Sequence, residues 1–178
     1  MRSIPALLKD FDSGIFSLQN LTAALSISDE KSFMPLFEMS DRICRQYYGE
    51  SVYIRGIIEF SNICARDCLY CGIRKGNKNT PRYLMKKEEI ICAAEKLYKQ
   101  GIMTVVLQSG ENPAQDEFIL DVTAALKEKF DMAVTLSVGE RPFLRYEEMK
   151  NAGADRFLLR IETTDAELYE KLHPGCSL

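Results

Sequence analysis

The sequence predicts a parallel α/β fold built from βα units, four of them following an N-terminal helical segment. Three observations carry this expectation. From Val52 onward, short apolar runs alternate with amphipathic segments, the pattern of strands and helices wound around a parallel sheet. Gly101 and Gly153 stand where helices must turn back into strands, a position that favours glycine. The 178 residues, 46% of them apolar, suffice for one core but fall short of the roughly 250 residues of a closed eight-unit barrel. The expected architecture is therefore the first half of a (βα)8 barrel of the TIM type over residues 51–178, preceded by a helical domain at 1–50. On this reading the sequence belongs to a longer barrel, and its fourth strand needs further chain to cover its edge.

Within the first fifty residues, a helix start at Ser17 is followed by a longer amphipathic stretch from about Asp29 to Tyr48, closed by Gly49. Phe33, Leu36, Phe37, Ser40, Ile43, Cys44 and Tyr47 recur at helical spacing and make one face, which places Cys44 in core packing. Pro35 is awkward inside a helix and moves the expected start toward Met34. Strands are expected at 52–60, 103–108, 133–138 and 156–161, and helices at 87–100, 114–129, 145–152 and 166–172. Cys92 falls with Ile91 and Leu97 on the apolar stripe of its helix and reads as a small buried hydrophobe.

A formal net charge of −3 offers no footprint for nucleic acid or anionic membrane, whose readers are usually basic. No apolar run approaches the ~18 residues of a membrane span, and the opening residues carry no cleavable hydrophobic segment. A cytoplasmic protein is expected. Six cysteines, three of them clustered, fit a reducing compartment and a metal role.

Those three are Cys64, Cys68 and Cys71, directly after the first strand. Three thiolates so spaced can hold a four-iron cube with one iron left open, whereas a closed electron-transfer cluster draws four cysteines. A structural zinc site would show a second knuckle and a fourth ligand. A redox pair made of Cys68 and Cys71 needs no third cysteine upstream. Disulfides between residues so close in sequence would staple nothing.

The spacing, C-x-x-x-C-x-aromatic-C with Tyr70 as the aromatic, resembles the signature of the radical S-adenosylmethionine (SAM) superfamily. Longer blocks at 53–62 (YIRGIIEFSN), 105–111 (VVLQSGE), 135–142 (TLSVGERP) and 154–163 (ADRFLLRIET) resemble, within it, the maturases of FeFe-hydrogenase. The resemblance implies a 4Fe-4S cluster on Cys64, Cys68 and Cys71, with SAM on the open iron and reductive cleavage to a 5′-deoxyadenosyl radical. It also implies a role in assembling the diiron subcluster. Implied partners are a small organometallic or amino-acid-derived substrate, a low-potential donor such as ferredoxin or flavodoxin, and other hydrogenase maturases.

Ser109, Gly110 and Glu111 follow the second strand and resemble the family's Gly-Gly-Glu element, which meets the SAM amino group mainly through backbone. Serine in the first position fits only where φ stays negative, and the competing reading is an ordinary turn before a helix. On the third strand Thr135 and Ser137 share one face and Val134, Leu136 and Val138 the other, so the polar pair is expected to line the barrel. On the fourth, Arg160 and Glu162 point to one side, where charge is costly unless it pairs or binds something. By resemblance, Glu162 holds the SAM ribose, Arg160 sits beside the substrate anion, Tyr70 and Ser137 contribute to the cofactor site, and Gln108 and Thr135 face the substrate.

Biotin synthase is similar along strand one but has a cluster-ligating cysteine where Thr135 stands, which disfavours it. A methylornithine synthase-like enzyme is the alternative, as is a non-catalytic iron-sulfur-binding half-barrel. His173, the single histidine, reads as an isolated base near a frayed terminus, Cys176 as an exposed tail residue, and the basic stretch 74–78 as a solvated loop.

Overall fold

The structure, a computed structural model, describes residues 3–178, so the first two residues of the opening segment lie outside the described residues. The chain divides into two compact units, Met1–Tyr53 and Ile54–Leu178.

The first unit holds α1 (Ile4–Asp12), α2 (Leu18–Leu25) and α3 (Glu30–Tyr48). Ser17 caps α2 by accepting from the Asn20 amide at 3.1 Å, and Asp29 caps α3 by accepting from the Ser32 amide at 2.8 Å. That second cap corrects the expected start near Met34. The helix begins at Glu30 and carries Pro35 inside it, because the Asp29 cap and the turns on either side outweigh one missing backbone bond. Leu7 and Met39 are buried, whereas Cys44 is exposed and does not serve as core packing.

The second unit contains β1 (Gly56–Ser61), α4 (Lys87–Lys99), β2 (Thr104–Ser109), α5 (Asp116–Lys129), β3 (Ala133–Ser137), α6 (Phe143–Asn151), β4 (Arg156–Phe157) and α7 (Ala166–Leu172). A short 3₁₀ turn at Pro113–Gln115 leads into α5. The sheet is wholly parallel in the order β1-β2-β3-β4, with Ile58 beside Leu107, Leu107 beside Leu136, and Leu136 beside Phe157. Alternation along each strand sorts its side chains. Ile58, Phe60, Val105, Leu107, Val134, Leu136 and Val138 pack against Ile90, Ala94, Ile119, Val122, Leu126 and Met149 of the helices as one core. Glu59, Gln108, Thr135 and Ser137 occupy the opposite face, as their place in the alternation requires.

Two strands differ from expectation. Val52, Tyr53 and Ile54 are exposed, and β1 starts only at Gly56. β4 pairs over two residues because β3, its one neighbour, ends at Ser137; after the Leu158 amide reaches the Leu136 carbonyl, the chain leaves the sheet. Arg160 and Glu162 therefore lie beyond the strand. Cys92 is exposed too, since α4 buries the stripe of Ile90 and Ala94 and Cys92 falls off it. Among the described residues no helix is long and apolar enough to cross a membrane.

A buried ion pair ties the end of β3 to the start of α5. Arg141 Nε donates to Asp116 Oδ1 at 2.7 Å, and its Nη1 to the Val138 and Glu140 carbonyls at 3.0 and 2.8 Å. The two side chains are 0% and 5% exposed. Asp116→Ala strands the cation, and urea unfolding is expected to show a loss of about 3–5 kcal/mol; a loss below about 1 kcal/mol would contradict the assignment.

Asp155 gives a pH dependence. Partial burial works against its charge, but the Val134 amide and Lys127 ammonium outweigh burial and hold its carboxyl below the usual carboxylate range. A depressed folded-state pKa contributes stability that is present above the unfolded value of about 3.9 and is lost as pH falls through the folded one. Asp155→Asn is expected to flatten the acid limb of stability against pH over that window, read by thermal unfolding.

Candidate functional site

Loops that follow parallel strands emerge at one edge of the sheet, where functional groups collect. The chain between β1 and α4 carries little regular structure, so its backbone polar groups need other partners. Arg82 supplies four bonds: Nη1 to the Asn62 and Ile73 carbonyls, both at 2.7 Å, and Nη2 to those of Arg74 and Asn77 at 2.7 and 3.1 Å. Asn62 closes the base of the loop, donating from Nδ2 to the Pro81 carbonyl at 2.7 Å and accepting the Tyr83 amide at 2.9 Å. Asp67 accepts the Gly76 amide at 2.9 Å, which with Arg74 lowers its carboxyl pKa. Inside this frame sit Cys64, Cys68 and Cys71, half-buried and unpaired.

The loop after β2 presses against it. A Cβ on Gly110 would lie 2.6 Å from the Ile63 carbonyl oxygen and 2.7 Å from Cys64 Cβ, so only glycine allows the approach. The Ala65 amide donates to the Glu111 carbonyl at 2.7 Å. Ser109 does not adopt positive φ, so serine is accommodated there without strain.

One guanidinium and one carboxylate then join the loops of β1, β2 and β3. Arg66 Nε meets Glu111 Oε1 at 2.5 Å, and Glu111 Oε2 accepts the Glu140 amide at 3.0 Å. Gly139, at φ +85°, leaves room for the Glu111 stem, which a Cβ would approach to 2.5 Å.

These walls enclose a cavity of about 270 Å³. Cys64, Cys68, Cys71 and Tyr70 line it together with Gln108, Ser109, Gly110, Glu111, Ser137, Arg160 and Glu162. Thr135 alone of the expected residues is not in the lining; it lies buried one pleat below Ser137. Gln108 Nε2 also reaches Glu59 Oε1 at 3.3 Å. Arg160 and Glu162 form no ion pair with each other. Glu162 is the single non-glycine residue at positive φ among the described residues, at +58°, in a tight turn closed by the Thr163 amide on the Ile161 carbonyl at 2.7 Å. Such strain persists where surroundings impose it, and it collects at functional sites.

Two residues read as bystanders belong to this cavity. His173 is buried at 7% exposure, with Nε2 at 2.7 Å from the Tyr70 hydroxyl. Cys176 is half-buried in the lining and takes a hydrogen bond from Arg66 Nη1 at 3.3 Å. Neither contact has a local sequence signal, because the partners lie about a hundred residues away. Burial and the neighbouring thiols Cys64, Cys71 and Cys176 push the Cys68 thiol up. Burial, with Cys68 and Glu162 nearby, takes Tyr70 up to about 12.

Among the described residues no three cysteine, histidine, aspartate or glutamate side chains converge on a single-ion site. A four-iron cube does not ask them to. Each thiolate takes a different corner; Cys64, Cys68 and Cys71 come from one loop and suit three corners of a cube, while the fourth thiol of the lining, Cys176, accepts a hydrogen bond from Arg66.

Residues 58–178 match the Radical SAM superfamily. The chain is 46% identical over 172 residues to the FeFe hydrogenase maturase subunit HydE of Thermotoga maritima, covering 96% of this chain and 49% of that protein. It is 29% identical over 162 residues to 3-methylornithine synthase of Methanosarcina acetivorans, covering 89% and 46%. The crystal structure of HydG, a maturase of the FeFe-hydrogenase, superposes with a TM-score of 0.88 at 22% identity, over 98% of this chain and 40% of that one, which shows the shared fold. The chain spans about half the length of the curated relatives it matches.

Arg82→Ala removes the loop's internal anchor. Amide exchange from Cys71 to Asn77 is expected to accelerate roughly tenfold or more, with β2 and β3 unchanged, by mass-spectrometric hydrogen exchange.

Proposed function

The chain belongs to the radical SAM superfamily, whose cofactors are a 4Fe-4S cluster and SAM, and from that premise we propose that it forms the SAM-cleaving part of a maturase for FeFe-hydrogenase. The observation that carries the reading is the meeting of the three cysteines, the loop 109–111 and Glu162 at one cavity. The 46% identity to HydE supports the choice of branch.

When bound, the reduced cluster supplies the electron that cleaves SAM to methionine and a 5′-deoxyadenosyl radical. The chain's own residues hold and orient. Cys64, Cys68 and Cys71 are the thiolate ligands. The Gly110 and Glu111 backbone meets the SAM amino group, and the Arg66–Glu111 pair keeps that backbone against the cysteine loop. Glu162 accepts from the ribose hydroxyls, with Tyr70 and Ser137 completing the SAM site. Arg160 is the cation beside an anionic substrate, with Gln108 on the same side and Thr135 beneath. The apolar core packs the opposite face of the strands and holds Gln108 and Ser137 in place, and the protein's contribution to radical chemistry lies in such placement. The proposed substrate is a small organometallic or amino-acid-derived molecule. The proposed partners are a low-potential ferredoxin or flavodoxin and other hydrogenase maturases, in the cytoplasm.

Anaerobic reconstitution with iron and sulfide, followed by dithionite and SAM, tests the reading. The expected result is a four-iron absorbance band and 5′-deoxyadenosine. Cys68→Ala is expected to lose both together. Glu162→Ala is expected to keep the cluster and bind SAM roughly tenfold more weakly, as fits removal of hydrogen bonds to a charged acceptor. SAM cleavage retained by Cys68→Ala would sink the ligand assignment.

A further inference from the structure

Tyr169, His173 and Cys176 recur at intervals of four and three residues, so α7 and the turn after it present one face. Each reaches a different part of the cavity wall. Tyr169 Oη lies 3.4 Å from Glu140 Oε1, His173 Nε2 meets the Tyr70 hydroxyl, and Cys176 Sγ accepts from Arg66. The Leu69 amide adds a backbone bond to the Leu172 carbonyl at 2.9 Å. The segment from Cys68 to Cys71 is thus stitched to the end of α7 at two consecutive residues.

The histidine contact has a defined sense. His173 Nδ1 lies 2.9 Å from the Tyr169 carbonyl, which can only accept, so Nδ1 carries the proton. In the neutral ring Nε2 is then an acceptor, and the Tyr70 hydroxyl donates to it. The Tyr169 ring stacks on the imidazole with centroids 4.1 Å apart and planes 21° from parallel. That contact and the Nδ1 bond leave the ring one orientation, with Tyr70 against its edge at 78°.

We propose that His173 is a positioning residue for SAM binding: by accepting the Tyr70 hydroxyl it fixes the aromatic ring between the second and third cysteines, and with it one wall of the cavity. The inference rests on the proposed function, since it needs SAM in that cavity. Tyr70 is half exposed to the space it lines, at 53%, and besides His173 its side chain has one other hydrogen-bond neighbour, the Cys68 thiol of its own loop. Without His173 the hydroxyl loses the bond that ties it to the segment after α7 and keeps only its neighbour within the cysteine loop.

The test is SAM affinity of the reconstituted protein, titrated through the change SAM makes in the electron paramagnetic resonance spectrum of the reduced cluster. His173→Ala is expected to retain four irons per chain and to weaken SAM binding roughly fivefold, the scale of one neutral hydrogen bond. His173→Gln places a carbonyl oxygen near the Nε2 position and is expected to restore affinity to within about twofold. Tyr70→Phe removes the same bond from its other end without opening a cavity, and the double variant is expected to bind no worse than either single one. Affinity unchanged in Tyr70→Phe overturns the proposal, even if His173→Ala fails to fold; so do losses that multiply in the double variant. A wild-type protein that binds SAM while ignoring these substitutions refutes this inference alone, whereas a wild-type cluster indifferent to SAM removes the proposed function and this inference with it.

Discussion

The site depends on four strands running in the same direction. A parallel sheet with helices on one face delivers every β-to-α loop to the same edge, and β1, β2 and β3 are held in register by a core in which Leu107 and Leu136 are nearly inaccessible. The cavity takes Cys64, Cys68 and Cys71 from one long segment, between Ser61 at the end of β1 and Lys87 at the start of α4. It arises where the ends of consecutive strands come within reach of one another, with Gly110 permitting an approach that any side chain would block.

Charge is used at two depths. Arg141 and Asp116 are almost wholly withdrawn from water, and the cost is met by short bonds to backbone carbonyls as well as to each other. Among the described residues Arg141 Nη2 has no hydrogen-bond partner, a further cost of burying this cation. Arg66 is about one-third exposed and acts nearer the surface, where its carboxylate partners Glu111 and Glu140 come from different loops. The first pair fixes the loop after β3 from below. The second fixes it to the cysteine loop from above.

The repeating part of the structure was legible in the residues. Strands β2 and β3 and helices α4, α5 and α7 fall within one or two positions of where apolar periodicity puts them, because burial acts on every residue of such a segment and the signal accumulates. Motif resemblance reaches part of the cavity lining, from the three cysteines to Glu162, but not Arg66, Glu140, Tyr169, His173 or Cys176. What stayed hidden depends on partners distant in sequence. Arg82 looks like one more basic residue beside 74–78, and His173 like a lone histidine. Cys92 and Cys44 are exposed for the opposite reason: the apolar stripe of each helix is wider than the face it buries. At α3 the Asp29 cap prevails over Pro35, because a good cap can start a helix ahead of a proline.

The four carbonyls gathered by Arg82 spread the burden of holding this loop. Residues from Gly72 to Asn79 owe much of their path to a side chain outside their own run, although Asn77, bonded to the Gly72 carbonyl and the Asn79 amide, and Gly76, with no room for a Cβ beside Asp67, hold it from within. A planar fork that bridges several acceptors is not replaced by a lysine, which has one compact head. The shape of this loop is therefore guarded twice, by a guanidinium outside the turn and by Gly76 and Asn77 within it.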